Sequence, residues 1–177
     1  MISERMKEQV QGSSIIRAMF EEGKKLAQIY GAENVFDFSL GNPSVPAPEA
    51  VKEAIIEIIN NEDAMTVHGY MNNSGYEVVR EAIAASINHK YGTAFSQDNI
   101  IMTVGAAGGI NVIFKTLLNP GDEVITFAPF FGEYRGYAAN YDGKLVIVSP
   151  NTVDFQPNLS EFREKITPKT KAVIVNS

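Results

Sequence analysis

Apolar positions in the first half of the chain repeat every three or four residues, the spacing that places them on one face of a helix. The first helix is predicted over residues 15–30 and is ended by Gly31. A second is expected from Pro48 to about 60–63, and a third from a capping box at 74–77 to residues 91–92. The predicted inward faces are Ile16, Met19, Phe20, Leu26, Ala27 and Tyr30; Val51, Ala54, Ile55, Ile58 and Ile59; and Val78, Ala82, Ile83 and Ile87.

From residue 100 onward, short apolar runs alternate with helical patterns, which is typical of a parallel sheet with helical crossovers. A strand-like run at 35–38 precedes a proline-rich loop at 40–48. The main strands are predicted at 100–104, 123–128, 144–148 and 172–175, and the helices at about 108–118, 131–139 and 159–166, the last capped by Asn158 and Glu161. The fold class is therefore α/β, with helices around a mostly parallel sheet.

The amino-acid composition excludes or disfavours several classes of function. The chain has 177 residues, 45% of them hydrophobic, which is enough for one domain, or one domain and part of another. Its net charge of -6, without a basic cluster, argues against nucleic-acid binding. The absence of cysteine excludes disulfides, thiolate metal sites and a cysteine nucleophile. No apolar run approaches the roughly 20 residues that span a bilayer, so we expect no membrane partner and a cytoplasmic protein.

One glycine- and alanine-rich segment, at 103–110, joins a predicted strand to a predicted helix. Its bare backbone N–H groups at a helix N-terminus suit a phosphate group. It lacks the Lys-Ser/Thr of a P-loop and the spacing of the dinucleotide fingerprint, which disfavours a nucleotide-binding domain. Small residues also allow close packing of a helix on a strand, so the residue types alone leave both interpretations open.

Aromatic residues stand where the second main strand ends, at Phe130 and Phe131. Such a ring can stack on a flat ligand, although phenylalanine is more often part of a core. His68 and His89 are the only histidines. His89 lies on a helix face beside Lys90, which favours a solvated side chain over a catalytic one. The sequence shows no metal site and no nucleophile triad.

Several segments, taken in order, carry a resemblance to a known family. They are residues 38–43 (FSLGNP), Tyr70 with Gly75 and Arg80, 103–107 (TVGAA), 119–124 (NPGDEV), 129–131 (PFF) and 167–171 (TPKTK). Together they resemble the N-terminal part of a fold-type I pyridoxal-phosphate-dependent enzyme of the class I/II aminotransferase family. The resemblance covers nearly the whole chain and implies a PLP-dependent transferase fold that is incomplete here.

The resemblance also implies a set of binding residues. Gly105, Ala106 and Ala107 would hold the phosphate of pyridoxal 5'-phosphate through their backbone N–H groups, and Phe131 would stack on the pyridine ring. Tyr70 would donate to the phosphate held by the neighbouring subunit, which implies a homodimer. Many relatives carry a hydroxyl or a lysine where Ala107 stands, so one side-chain contact to the phosphate is expected to be absent.

Further roles concern the substrate and the entrance to the site. Gly41 would lie against the substrate α-carboxylate, where a side chain would obstruct binding. Ile15 and Ile16 would line the entrance. Residues 1–46 would form an N-terminal arm and part of a small domain, and residues 47–177 the first part of the large cofactor-binding domain.

The catalytic groups of the family have no counterpart in this chain. By the resemblance, the Schiff-base lysine, the aspartate that holds the pyridine nitrogen protonated and the arginine that binds the substrate carboxylate are all expected beyond residue 177. The family's sheet order also places three further strands between 100–104 and the other three. We therefore expect an inactive N-terminal portion with exposed strand edges that favour aggregation.

The leading functional hypothesis is an aminotransferase that moves an amino group between an amino acid and a 2-oxo acid, as part of amino acid metabolism and biosynthesis. A carbon-sulfur lyase of the same fold is the nearest alternative. A non-enzymatic binding module that keeps only the phosphate cradle stays open as a third, because fold does not dictate function.

Overall fold

The computed structural model describes residues 2–4, 6–7, 15–38, 41 and 43–176. Its chain divides into two compact units, one formed by residues 1–41 with 106–177 and the other by residues 42–105. The helices are α1 (Ile15–Tyr30), α2 (Glu49–Asn61), α3 (Ala64–Val67), α4 (Glu77–Tyr91), α5 (Gly105–Leu117), α6 (Tyr134–Ala139) and α7 (Leu159–Lys165). The strands are β1 (Glu123–Phe127), β2 (Lys144–Val148) and β3 (Thr170–Ile174), and 3₁₀ turns lie at Ala32–Asn34 and Gln97–Asn99. The α/β class is therefore confirmed.

A parallel sheet of three strands in the order β2-β1-β3 forms the centre of the first unit. The middle strand β1 pairs on both sides, with Ile125 opposite Val146 on one neighbour and opposite Val173 on the other. The core beside it is built from Phe114 of α5, Val124 of β1 and Ala138 of α6. Two helices and the central strand therefore share one apolar centre.

Two helix ends follow the signals in the sequence. α1 ends where Gly31 adopts a positive φ of 87° and donates its N–H to the carbonyl of Ala27. α7 begins at Asn158, whose side chain accepts from the N–H of Glu161, so the predicted capping pair is confirmed.

Two predicted strands are wrong within the described chain. Neither 35–38 nor 100–104 forms a ladder with a described residue, although Val35 and Ile100, the first residue of each segment, have extended backbone angles. In the second segment Met102 donates its N–H to Ser74, a loop residue, and not to a neighbouring strand. An apolar run becomes a strand only where another strand supplies matching donors and acceptors, and no described strand pairs with these residues.

The capping box predicted at 74–77 is also wrong. α4 begins at Glu77 after Tyr76, without a side-chain cap. Gly75, with a φ of +94°, turns the chain just before the helix and leaves Ser74 too far upstream to cap it. A capping box forms instead at the second 3₁₀ turn, between Ser96 and Asn99.

Most of the predicted inward faces are exposed. α2 buries none of its residues, and the buried positions of α4 are Arg80 and Ala84, whereas Val78 lies open to solvent. In α1, Met19, Leu26 and Tyr30 are exposed, and the side chain of Ile16 lies outside the described part. The apolar spacing identified these helices correctly, but burial needs a surface to pack against, which spacing does not supply.

No helix in the described part of the chain is long and apolar enough to cross a membrane.

Candidate functional site

The predicted phosphate cradle lies at the N-terminus of α5. Gly105, its first residue, has a φ of +67°, a region that favours glycine. Its N–H donates to the carbonyl of Thr103 at 3.0 Å, and the Thr103 hydroxyl donates to the carbonyl of Gly105 at 3.1 Å. These two hydrogen bonds hold the turn that leads into the helix.

Beyond this turn, the first helical N–H groups are open. Ala106 and Ala107 are exposed, and within the described residues no hydrogen bond reaches either N–H. The carbonyl of Ala107 accepts from the Asn111 side chain at 2.8 Å. The positive end of the α5 dipole is thus presented by backbone donors with only methyl side chains beside them.

A turn after β1 carries the aromatic residues. Phe131 is 48% exposed, so it is not a core residue. Its ring meets Tyr134 edge to face, with centroids 5.7 Å apart and planes at 81°. Phe130 is half-buried and stacks on Tyr134, with centroids 6.5 Å apart, while Arg135 lies over its ring at 5.3 Å.

Tyr134 links this turn to the end of β3. The side chain is buried, and its hydroxyl donates to the Oδ1 atom of Asn176 at 3.0 Å. Because β1 and β3 are parallel neighbours, residues just beyond their carboxyl ends meet at one edge of the sheet. This contact was not predicted from the sequence, although both residues follow predicted strands, and that position was a usable signal.

Tyr70 lies in the second unit. Its side chain is fully exposed and forms no hydrogen bond to a described residue. Five residues further on, the turn at Gly75 is held by the buried Arg80, which donates from Nε to the carbonyl of Gly75 at 3.2 Å and from Nη1 to that of Gln97 at 2.7 Å. A Cβ atom at Gly75 would lie 2.8 Å from Cβ of Met102, so the turn has no room for a side chain.

The remaining residues singled out in the sequence have few described contacts. A Cβ atom at Gly41 would meet nothing within 4 Å. The side chains of Ile15 and Ile16 lie outside the described part, although both residues are in α1. His68 and His89 are exposed, as expected for solvated histidines. Among the described residues, no group of acidic residues and histidines is arranged to hold a metal ion.

A charged network follows β2. The carboxylate of Glu161 accepts from the N–H of Ser149 at 3.0 Å, from its hydroxyl at 3.1 Å and from the ammonium group of Lys165, which also donates to the carbonyl of Ile147. The hydrogen bond from Lys165 lowers the pKa of Glu161 below its ordinary value, and the donors of Ser149 act in the same direction. This network ties α7 to the end of β2.

Comparison with known proteins identifies the architecture. The family model for aminotransferases of class I and II matches residues 33–177. An aspartate aminotransferase from Thermotoga maritima is 32% identical over 164 residues, which is 92% of this chain and 42% of that protein. An aspartate/prephenate aminotransferase from Thermus thermophilus is 33% identical over 138 residues, 77% of this chain and 35% of that protein.

Solved structures agree. An aminotransferase from Eubacterium rectale superposes with a TM-score of 0.92 at 41% identity, covering all of this chain and 45% of that one. A mutant aspartate aminotransferase from Thermus thermophilus gives a TM-score of 0.84 at 28% identity, with 100% and 44% covered. The chain spans about two fifths of the length of the curated relatives it matches. From the matched residues and the superposed fold together, the chain belongs to the class I and II aminotransferase family.

Proposed function

We propose that the protein containing this chain is a pyridoxal-phosphate-dependent aminotransferase that moves an amino group between an amino acid and a 2-oxo acid. The observation that carries the proposal is the open N-terminus of α5 in a chain of this family. Gly105 turns the backbone, and the N–H groups of Ala106 and Ala107 have no partner among the described residues. Enzymes of this family use pyridoxal phosphate, so the cradle has a matching anion.

The cradle fits a phosphate group on chemical grounds. A phosphate oxygen is an acceptor only, and exposed helical N–H groups at a positive helix end are the donors that it prefers. The methyl groups of Ala106 and Ala107 leave the approach open. Because Ala107 brings no hydroxyl or ammonium group, the affinity would depend on the backbone and on the helix dipole.

The other predicted contacts are proposals of the same kind. The exposed ring of Phe131 would cover one face of the pyridine ring and exclude water from it. Tyr70, which is fully exposed, would donate to the phosphate of a second subunit in a homodimer. Gly41 would leave room for the substrate α-carboxylate.

Bound pyridoxal phosphate supplies an electron sink that stabilises a carbanion at the α-carbon of the amino acid. The residues of this chain contribute binding, orientation and exclusion of water. We propose no catalytic residue among them: the lysine, aspartate and arginine that the family resemblance implies would belong to the part of the relatives that this chain does not cover.

The wider assignments follow the same proposal. Residues 1–46 would form the N-terminal arm and part of the small domain, and 47–177 the first part of the large domain. The enzyme would act in the cytoplasm, in the metabolism and biosynthesis of amino acids. Aspartate is the first amino donor to test, because several relatives are aspartate aminotransferases.

Turnover of the full-length protein tests the proposal. Loaded with pyridoxal phosphate, it is expected to convert 2-oxoglutarate to glutamate in the presence of an amino acid, scanned from aspartate through alanine to aromatic donors. Release of thiol and ammonia from cystathionine alone would instead assign a carbon-sulfur lyase. Binding of the cofactor without either reaction would favour the binding module.

A further inference from the structure

Two contacts of different kinds meet on one buried side chain, Tyr134. Its ring edge packs against Phe131, and its hydroxyl donates to Asn176 at 3.0 Å. The aromatic side chain of Phe131 is thus connected, through a single tyrosine, to Asn176, which follows β3 and lies 42 residues beyond Tyr134 along the chain.

The two phenylalanines of the turn differ in the surface that they leave free. Phe130 is half-buried, stacked on Tyr134 and covered by the guanidinium group of Arg135. Phe131 has only the edge contact with Tyr134 among the described ring contacts, and 48% of its surface is exposed. Phe131 is therefore the ring with an open face for a flat ligand.

An exposed phenylalanine presents a defined face only if a neighbour limits its rotation. Edge-to-face packing does so because it favours one relative orientation of the two rings. Tyr134 can impose that orientation only if it is itself fixed, and a buried phenol hydroxyl is held by its hydrogen-bond partner. Asn176 supplies that partner.

We propose that Tyr134, held by Asn176, is a positioning residue that fixes the plane of Phe131 for the aromatic ring of the cofactor. This inference rests on the proposed function and deepens it, because it assigns a role to two residues that would not themselves contact the phosphate. It predicts that loss of the tyrosine hydroxyl weakens binding of the ring of the cofactor and leaves binding of its phosphate unchanged.

The test compares two probes on the full-length protein: pyridoxine 5'-phosphate, which has the ring and the phosphate but cannot form a Schiff base, and inorganic phosphate. The dissociation constant of pyridoxine 5'-phosphate is measured by calorimetry, and that of inorganic phosphate by its competition with pyridoxine 5'-phosphate. Tyr134→Phe is expected to raise the dissociation constant of pyridoxine 5'-phosphate about 3- to 10-fold. The dissociation constant of inorganic phosphate should change by less than about twofold. Asn176→Ala should have the same effect, and the double variant should bind no more weakly than either single variant.

Tyr137→Phe is the matched control, because Tyr137 lies on the same helix. Its hydroxyl forms no hydrogen bond within the described residues. This variant should leave both dissociation constants unchanged. Unaltered binding of pyridoxine 5'-phosphate by Tyr134→Phe and Asn176→Ala, or effects that add in the double variant, would overturn the inference. If Tyr134→Phe does not fold, the exposed Asn176→Ala change decides alone. Failure of the parent protein to bind either probe would overturn the proposed function and this inference with it.

Discussion

Two five-residue runs in this chain have similar patterns and different structures. β1, with the sequence EVITF, lies between two parallel neighbours, and its Val124 and Ile125 are fully buried. Residues 100–104, IIMTV, are at least as apolar but belong to no ladder. There, Ile101 is 66% exposed and Val104 94% exposed.

The difference shows that a strand depends on its neighbours as much as on its own residues. β-branched side chains favour an extended backbone, which β1 adopts throughout and which Ile100 adopts at the start of the other run. Of the two runs, β1 alone has a described strand on each side to pair its N–H and C=O groups. Equal sequence patterns therefore lead to a core in one place and an exposed surface in the other.

The largest expected effect comes from truncating the buried isoleucine of β1, with the exposed isoleucine of the other run as its control. Ile125→Ala would leave a cavity at a fully buried position and should lower the free energy of unfolding by about 2–5 kcal/mol. Ile101→Ala in the same 177-residue chain should lower it by less than about 0.5 kcal/mol, because the side chain is mostly in water. Urea unfolding followed by far-ultraviolet circular dichroism measures both.

A second measurement of this pair sharpens the comparison. In a longer protein that contains the strands implied by the family resemblance, Ile101 would gain neighbours, and Ile101→Ala should then cost about 1–3 kcal/mol more than it does in the short chain. Equal costs at Ile101 in the two proteins would show that missing partners are not the reason for its exposure.

The next effect concerns the turn that holds the unpaired run in place. Met102 donates to Ser74, and Gly75 follows with a φ of +94° and no room for a Cβ atom. Gly75→Ala combines backbone strain with a collision and should destabilise the chain by about 1–3 kcal/mol in urea unfolding. Gly105→Ala is the control: its φ of +67° is also unfavourable, but the space around it is open, so about 1 kcal/mol is expected. A larger loss at Gly105 than at Gly75 would contradict this ranking.

Features set within a few residues could be predicted from the sequence. The C-terminal end of α1 follows from the helical pattern and from Gly31, and the cap of α7 from Asn158. The turn at Gly105 is equally local, since small residues after an apolar run suggest a helix N-terminus with open N–H groups. The roles assigned to Gly105, Ala106, Ala107, Phe131, Tyr70 and Gly41 remain predictions.

Features that depend on distant residues could not be predicted. Whether the apolar face of α2 is buried depends on whether another part of the protein packs against it. Whether residues 100–104 form a strand depends on a neighbouring strand. The bond between Tyr134 and Asn176 requires the order of strands β1 and β3, and the burial of Arg80 requires two backbone carbonyls to converge on its guanidinium group. Each depends on three-dimensional arrangement, which a one-dimensional pattern does not contain.

A smaller effect on stability is expected when the pH is lowered, because a charged network lies at the end of the paired strand β2. The folded-state pKa of Glu161 lies below its ordinary value of 4.5, chiefly because Lys165 donates to the carboxylate. Its contribution to stability is therefore complete above pH 4.5 and is lost as the pH falls through the lowered pKa. The urea midpoint of the parent chain should fall between pH 6 and pH 3 by more than that of Glu161→Gln, which lacks the titrating group.

Glu164→Gln is the control for this experiment, because Glu164 lies on the same helix, is exposed and has no hydrogen bond in the described part of the chain. It should lose as much stability on acidification as the parent chain does. If Glu161→Gln and Glu164→Gln respond to acid in the same way, the network at the end of β2 does not contribute to the pH dependence.

A small effect on stability is also expected at Phe131. If its exposure reflects a ligand-binding role and not a missing strand, Phe131→Ala should change the free energy of unfolding by less than about 1 kcal/mol, the scale of its single edge contact with Tyr134. The matched change Phe114→Ala removes a buried ring from the core and should cost about 3–5 kcal/mol. Unlike Ile101→Ala, the Phe131 variant should stay nearly neutral in a longer protein without ligand, because no strand is expected to cover it. A large loss there would place Phe131 with residues 100–104, as an apolar side chain that lacks its packing partner, and would remove the argument that its open face serves the cofactor.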